Sequence, residues 1–277
     1  MLRKRVIVCL DVRGDRVVKG TRFRELREVG DPVQLAERYQ EQGADEIIFL
    51  DVSASVQERG TVLDVVRRTA ERLFVPLTVG GGIRSVDDVG RLLRSGADKV
   101  SVNSAAVIDP PLLTAAAARF GAQCIVASID ASIDAGLLTA AGGDTEASAV
   151  GPTNGDRVAA ATVYTHGGRR STGLGAIDWA VHCAELGAGE ILITSIDHDG
   201  VRTGFDLPLT RAVRRAVDVP VIASGGAGGP QHFVDVFQQT DVEAALAAGI
   251  FHSGAVSVHE VKAALRLECI QVRCSGH

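Results

Sequence analysis

Aromatic residues are scarce in this chain of 277 residues: they make up 4% of it, with one tryptophan and two tyrosines. Hydrophobic residues still reach 46%. The core is therefore expected to be aliphatic, as in parallel strands buried on both faces. Long apolar runs are also missing. None is long enough to span a bilayer, and no signal-peptide pattern opens the chain, so a soluble cytoplasmic protein without a membrane partner is expected. The net charge is −5 and no basic block stands out, which argues against nucleic acid as a partner. The five cysteines (Cys9, Cys124, Cys183, Cys269, Cys274) are scattered, with no C-x-x-C pair. Reduced thiols are expected, with no metal site and no cofactor.

What the chain does have is a repeated glycine motif. Leu77-Thr78-Val79-Gly80-Gly81-Gly82-Ile83-Arg84 reads as a short apolar strand, a glycine turn and a helix. The pattern returns at Val221-Ile222-Ala223-Ser224-Gly225-Gly226-Ala227-Gly228. Each copy is followed by a helix-like segment and then by another short strand, Lys99–Ser104 and Ala244–Gly249. Glycines where a strand meets a helix let backbone N–H groups approach an anion, and the helix dipole helps. One copy would serve a turn; two copies predict two phosphate sites in a molecule built from two similar halves.

Taken in order, the chain alternates strands with helices. Strands are expected at Arg5–Leu10, Glu46–Asp51, Leu77–Gly80, Lys99–Asn103, Gln123–Asp130, Glu190–Ser195, Pro220–Ser224 and Ala244–Ala248. Asp31-Pro32 starts a helix as N-cap and first helical residue. Two stretches break the rhythm. Val12–Gly30 reads as a long, charged loop carrying Lys19, and long loops in compact domains are often functional. Residues 134–160 read as a flexible insertion. Eight strands in this rhythm predict an α/β fold: one (β/α)8 barrel domain over residues 1–277, with a two-fold half-barrel repeat; a doubly wound sheet is the alternative.

In such a barrel the active site lies at the C-terminal strand ends. Those ends carry Asp11, Asp51, Asn103, Asp130, Thr194 and Ser224. Asp11 and Asp130 occupy matching positions of the two halves, and paired carboxylates suit general acid–base work. Asp51 reads as a turn-capping or supporting residue. Lys19 is placed to close over an anionic substrate. The phosphate candidates are Gly81 and Gly82 with Asn103 and Ser104 in one half, and Gly225 and Gly226 with Ala248 and Gly249 in the other. Charges at the strand starts (Arg5, Glu46, Lys99, Glu190) predict a ring of ion pairs at the barrel bottom, read either as stabilising pairs or as a gate to a path along the axis. His198 reads as solvent-facing, His232 and His252 as packing or capping residues, and Trp179 as a packing residue.

With these residues assembled, the chain resembles the cyclase subunit of imidazole glycerol phosphate synthase, from histidine biosynthesis. The resemblance rests on Val8–Val12, Val17–Gly20, Gly30–Val33, Leu50–Ser55, Thr78–Ile83, Ala97–Asn103, Thr194–Asp197, Asp199-Gly200 and Ala223–Gly228. It implies cleavage and cyclisation of a bis-phosphorylated formimino-ribulosyl aminoimidazole carboxamide nucleotide with ammonia. The products would be imidazole glycerol phosphate and an aminoimidazole carboxamide ribotide. It also implies a glutaminase partner on the barrel bottom and ammonia passing through the barrel core. The family's acid–base pair falls on Asp11 and Asp130, its loop lysine on Lys19, its gate on Arg5, Glu46, Lys99 and Glu190, and an interface aspartate on Asp98. Thr194 and Asp199 join the substrate-binding set. Departures stand at Arg13–Arg16, where the family has Asp-Gly before the arginine, at Arg22 in place of asparagine, and at Gly249 in place of a hydroxyl residue. The insertion after Asp130 is unusually long. Two other readings share the glycine motifs: the related isomerase of the preceding pathway step, and a non-catalytic phosphosugar-binding barrel. The Cys-Leu-Asp-Val start, Lys19-Gly20 and the bottom charges favour the cyclase.

Overall fold

A computed structural model describes residues 3–21, 24–52, 56–133, 158 and 160–273. Arg22, Ser53 to Ser55, nearly all of the 134–160 insertion and Cys274 lie outside the described residues. Eight parallel strands close into a barrel: β1 (Arg5–Arg13), β2 (Glu46–Asp51), β3 (Leu77–Gly80), β4 (Lys99–Val102), β5 (Ile125–Ile133), β6 (Glu190–Ser195), β7 (Val221–Ser224) and β8 (Ala244–Ala247). Closure is made by β8 on β1, with Arg5 opposite Ala244 and Val8 opposite Ala247. Around the barrel run α1 (Pro32–Glu41), α2 (Val56–Ala70), α3 (Val86–Arg94), α4 (Pro111–Phe120), α5 (Ala176–Glu185), α6 (Leu207–Ala216), α7 (Pro230–Thr240) and α8 (Val258–Leu267). This is the (β/α)8 barrel that the rhythm predicts.

The core has two layers, as both-face burial requires. Outward-facing residues such as Val6, Val8, Ile47, Val79, Ile191 and Ala223 pack under the helices. The barrel interior holds a separate aliphatic cluster of Ile7, Cys9, Ile48, Val126, Leu192, Ile222, Ala244 and Leu246. The helix starts follow local chemistry. Asp31 caps α1 by accepting from the Gln34 N–H, and Asp206 caps α6 by accepting from the Leu209 N–H. Ser257 and Glu260 form a reciprocal capping box on α8.

The expected long loop after β1 is instead an antiparallel ribbon: Arg16–Thr21 pairs with β1 and then with Arg24–Gly30. Its charged, glycine-punctuated sequence hides the strand pattern, because its two buried residues, Val17 and Val18, are adjacent and show no alternation. The other half repeats the device. Ala161–Thr165 pairs with the end of β5 and then with Arg170–Gly175. Two short helices also went unread, Ser104–Ile108 after β4 and Gly249–His252 after β8. Each follows the strand of a glycine motif's second part, so they sit at matching places in the two halves.

Candidate active site

The two ribbons explain why Asp11 and Asp130 stand where they do. On one side β1 pairs with β8 only as far as Val8; beyond that the ribbon takes over, with Val18 opposite Asp11. Likewise β5 pairs with β4 only as far as Ala127, and Tyr164 of the second ribbon then lies opposite Asp130. Each aspartate therefore sits at the rim, where a barrel strand exchanges a parallel neighbour for an antiparallel one. Interior-facing residues alternate along the strands. Cys9 faces the barrel interior, so Asp11 continues that face at the mouth.

Both carboxyls are mostly enclosed, and both are pushed upward. Burial, then the nearby Asp199 carboxylate, raise Asp11 to about 7. Burial raises Asp130 to about 6, the Asn103 hydrogen bond opposes the rise, and Asp199 adds to it. Asn103 Nδ2 donates to Asp130 Oδ2 at 2.9 Å, while Asn103 Oδ1 is buried without a partner among the described residues. Asp199 lies at the solvent-facing rim; desolvation by the surrounding chain raises its own carboxyl, against a hydrogen bond from the Gly200 backbone. Three carboxylates thus share one mouth, and such an arrangement holds protons near neutral pH.

The remaining expected residues surround these acids. Lys19 reaches from the ribbon to the end of the neighbouring β8 and donates to the Gly249 carbonyl at 3.1 Å. Ser104 Oγ accepts from the His166 N–H at 3.0 Å, tying the second ribbon's turn to the first phosphate candidate. Thr194 and Ser224 are in register on β6 and β7, with Asp130 beside Thr194 on β5. Asp51 ends β2 opposite Val12. The two glycine turns differ. Gly81 and Gly82 are exposed, whereas Gly225 and Gly226 are buried. A Cβ on Gly81 would lie 2.2 Å from the Asp51 carbonyl oxygen, and one on Gly226 would lie 2.0 Å from the Gly204 carbonyl oxygen. Both turns also adopt positive φ, 96° at Gly81 and 101° at Gly226. Glycine is required there on both counts.

The bottom charges form the expected ring. Arg5 meets Glu46 at 2.9 Å and Glu190 at 2.7 Å; Lys99 meets Glu46 at 3.0 Å and Glu190 at 2.8 Å. Burial opposes the Arg5 charge, and Glu190 and Glu46 outweigh it, so Arg5 stays protonated. Thr78 Oγ1 adds a hydrogen bond to Glu46 Oε1 at 2.6 Å. Asp98 lies beside the ring and accepts from the Leu77 N–H at 2.8 Å.

Comparison with known proteins decides the family. A family model described as histidine biosynthesis protein matches residues 5–257. A protein of Myxococcus xanthus named imidazole glycerol phosphate synthase subunit HisF is 58% identical over 273 residues, covering 99% of each chain. Proteins of the same name from Geobacillus thermodenitrificans and Nocardia farcinica are 53% and 54% identical, each over at least 97% of this chain and 98% of their own. The chain belongs to the HisF family of histidine biosynthesis. The sister isomerase, left open by the shared glycine motifs, is not favoured by these HisF relatives.

Sequence reasoning missed several residues of this HisF mouth. Asp197 fastens the end of β5 to the β6–α6 loop, accepting from Ser132 Oγ at 2.7 Å and the Ile133 N–H at 2.8 Å. His198, expected to face solvent, is half-buried and its Nδ1 lies 2.9 Å from the Gly204 carbonyl oxygen, holding the loop over the second glycine turn. Nothing in the residue types marks these roles, because both depend on a loop folding back. His232 and His252 do cap and pack: His232 Nδ1 accepts from the Gly228 N–H, and His252 Nδ1 lies 2.7 Å from the Tyr39 hydroxyl. Trp179 is buried in α5. No helix among the described residues is long and apolar enough to cross a membrane.

Proposed function

We propose that this HisF-family chain carries out the ammonia-dependent cyclase step of histidine biosynthesis with Asp11 and Asp130 as its acid–base pair. The substrate is the bis-phosphorylated formimino-ribulosyl aminoimidazole carboxamide nucleotide. Ammonia attacks its ribulosyl carbonyl, the nucleotide is cleaved, and the imidazole ring closes. Each stage needs one proton taken and one given. Two carboxyls raised to about 7 and about 6 share protons between them near neutral pH, so one is available in each form. Their matching placement at the two rim positions is the observation that carries this reading.

The two substrate phosphates are assigned to the two glycine turns and the short helices after β4 and β8, with Gly81, Gly82, Asn103 and Ser104 at one end. Gly225, Gly226, Ala248, Gly249 and Lys19 hold the other. Phosphate sites built from late-strand loops and a short extra helix are frequent in barrels of this kind. Asp51, Thr194, Asp199 and Ser224 line the space between. The residues form one domain over 1–277, working in the cytoplasm.

The relatives are named as subunits, and the partner proposed here is a glutaminase on the N-terminal face of the barrel. Phe74 supports that face: it lies in the loop feeding β3 and is 94% exposed, an unusual state for an aromatic unless it meets a partner. Ammonia released there would pass the Arg5–Glu46–Lys99–Glu190 ring and enter an interior of Ile7, Ile48, Val126, Leu192 and Ile222. That lining admits neutral ammonia and rejects ammonium, since an unpaired charge is costly to bury. Turnover driven by ammonium salt tests the reading without the partner. The expected result is release of imidazole glycerol phosphate and the carboxamide ribotide in equal amounts. An isomerised, uncleaved nucleotide as sole product would return the sister isomerase.

A further inference from the structure

The second phosphate end carries a cation that the motifs do not mark. Arg202 lies in the β6–α6 loop with φ at +64°, a left-handed conformation that costs a non-glycine residue about 1 kcal/mol or more. The loop is pressed into that shape from behind: a Cβ on Gly228 would lie 2.2 Å from the Arg202 carbonyl oxygen. Its guanidinium then converges with Lys19 on one bare Cα. A Cβ built on Gly249 would lie 3.7 Å from Lys19 Nζ and 4.0 Å from Arg202 Nη2. Neither cation has a carboxylate partner among the described residues; Lys19 has only the Gly249 carbonyl. Burial, then the Arg202 charge, hold Lys19 below its ordinary range. Two like charges gathered by a strained loop oppose folding unless an anion joins them.

We infer that Arg202 binds the substrate phosphate at the Gly225–Gly249 end, together with Lys19, and so fixes which end of the bis-phosphate enters there. The inference rests on the cyclase reading and deepens it. At the opposite end the two phosphate-candidate side chains are neutral: the Asn103 amide, engaged with Asp130, and the Ser104 hydroxyl, engaged with the His166 backbone. One phosphate is thus held by charge and the other by neutral donors. A near-symmetric substrate with two phosphates is thereby given a direction. Gly249, having no side chain, leaves the space beside the two cations to the phosphate itself.

The test uses the two reaction products, each of which keeps one phosphate. Their binding to wild type, Arg202→Ala and Arg202→Lys is measured by calorimetry, with ammonium-driven turnover followed in parallel. Loss of a charge-assisted contact predicts that Arg202→Ala binds one product about 10-fold more weakly or worse and the other within about twofold. The KM for the bis-phosphate should rise by a similar factor with kcat within about threefold, and Arg202→Lys should recover most of the loss. The weakened binding should also lose part of its salt dependence. Equal weakening of both products, or no change in either, overturns the inference while wild-type turnover keeps the cyclase reading intact. A fall in kcat with KM unchanged also overturns it, since that marks a loop held only for structure. A wild type that binds neither product defeats the cyclase reading first, and this inference with it.

Discussion

The two ends of the barrel handle charge in opposite ways. At the bottom, two cations and two anions alternate, and every one meets two opposite partners within 3.0 Å. At the mouth, like sits with like: the Asp199 carboxylate adds to the burial that raises both Asp11 and Asp130, and Lys19 stands beside Arg202. The bottom satisfies its charges within the chain and so holds the fold and closes the axis. On the proposed reading, the mouth leaves its charges to be satisfied by protons and by a doubly anionic substrate. Charge paired within the chain then serves the fold and the proposed ammonia path, and like charge gathered at the mouth serves the substrate.

A second buried pair beneath the barrel gives the largest expected loss of stability. Lys262 Nζ meets Asp45 Oδ1 at 2.7 Å with both side chains 2% exposed, and Asp45 also accepts from the Val6 N–H. Lys262→Ala strands a buried carboxylate, so the stability in urea should fall by about 3–5 kcal/mol. The kcat of the folded fraction should not change, because α8 is remote from the mouth. A large kcat loss would blur the division between the two ends.

Glu46→Gln comes next. It removes one of the two anions shared by Arg5 and Lys99, and the remaining Glu190 cannot neutralise both. A loss of about 2–3 kcal/mol is expected at pH 7. No loss would mean that the ring is relaxed by solvent and acts as a gate alone.

At the mouth the sign should reverse. A carboxyl at about 7 in the folded chain and near 3.8 unfolded favours the folded state only while protonated. Its contribution is complete below pH ~4 and is lost progressively as pH rises to about 7. Asp11→Asn should therefore equal wild type near pH 4, gain through pH 4 to 7, and stay about 1 kcal/mol or more ahead above that. Thermal melts across this range check it. A destabilised variant at pH 8 would show that Asp11 is paired, as the bottom charges are. The smallest effect belongs to the exposed Arg119–Asp87 pair at 3.0 Å. Arg119→Ala should shift stability by no more than ~0.5 kcal/mol.

The sequence made the barrel legible because its signals are local. Asp31-Pro32 caps a helix wherever it occurs, the Glu46–Asp51 and Glu190–Ser195 strands are apolar runs bounded by charge, and both agree with the structure to the residue. The strand-end acids and the bottom ring were readable for the same reason: strand direction alone assigns each residue to an end. What escaped was contact at long range. The ribbon Arg16–Thr21 offers only the adjacent Val17 and Val18 as an apolar signal and gains its order from β1. Arg202 looks like any surface arginine until the tight approach of its loop to Gly228 turns it toward Lys19. The roles of Asp197 and His198 likewise exist only once their loop folds back across β5 and the second glycine turn.

The most direct test of the mouth is turnover of the bis-phosphate nucleotide with ammonium salt, at one fixed concentration of free ammonia, by wild type, Asp11→Asn and Asp130→Asn. Binding of the same nucleotide is measured alongside. The account predicts that each variant loses about 100-fold or more in kcat while binding within a few-fold of wild type. Variants that keep their kcat would contradict it, and would leave the paired positions of Asp11 and Asp130 as a feature of the fold alone.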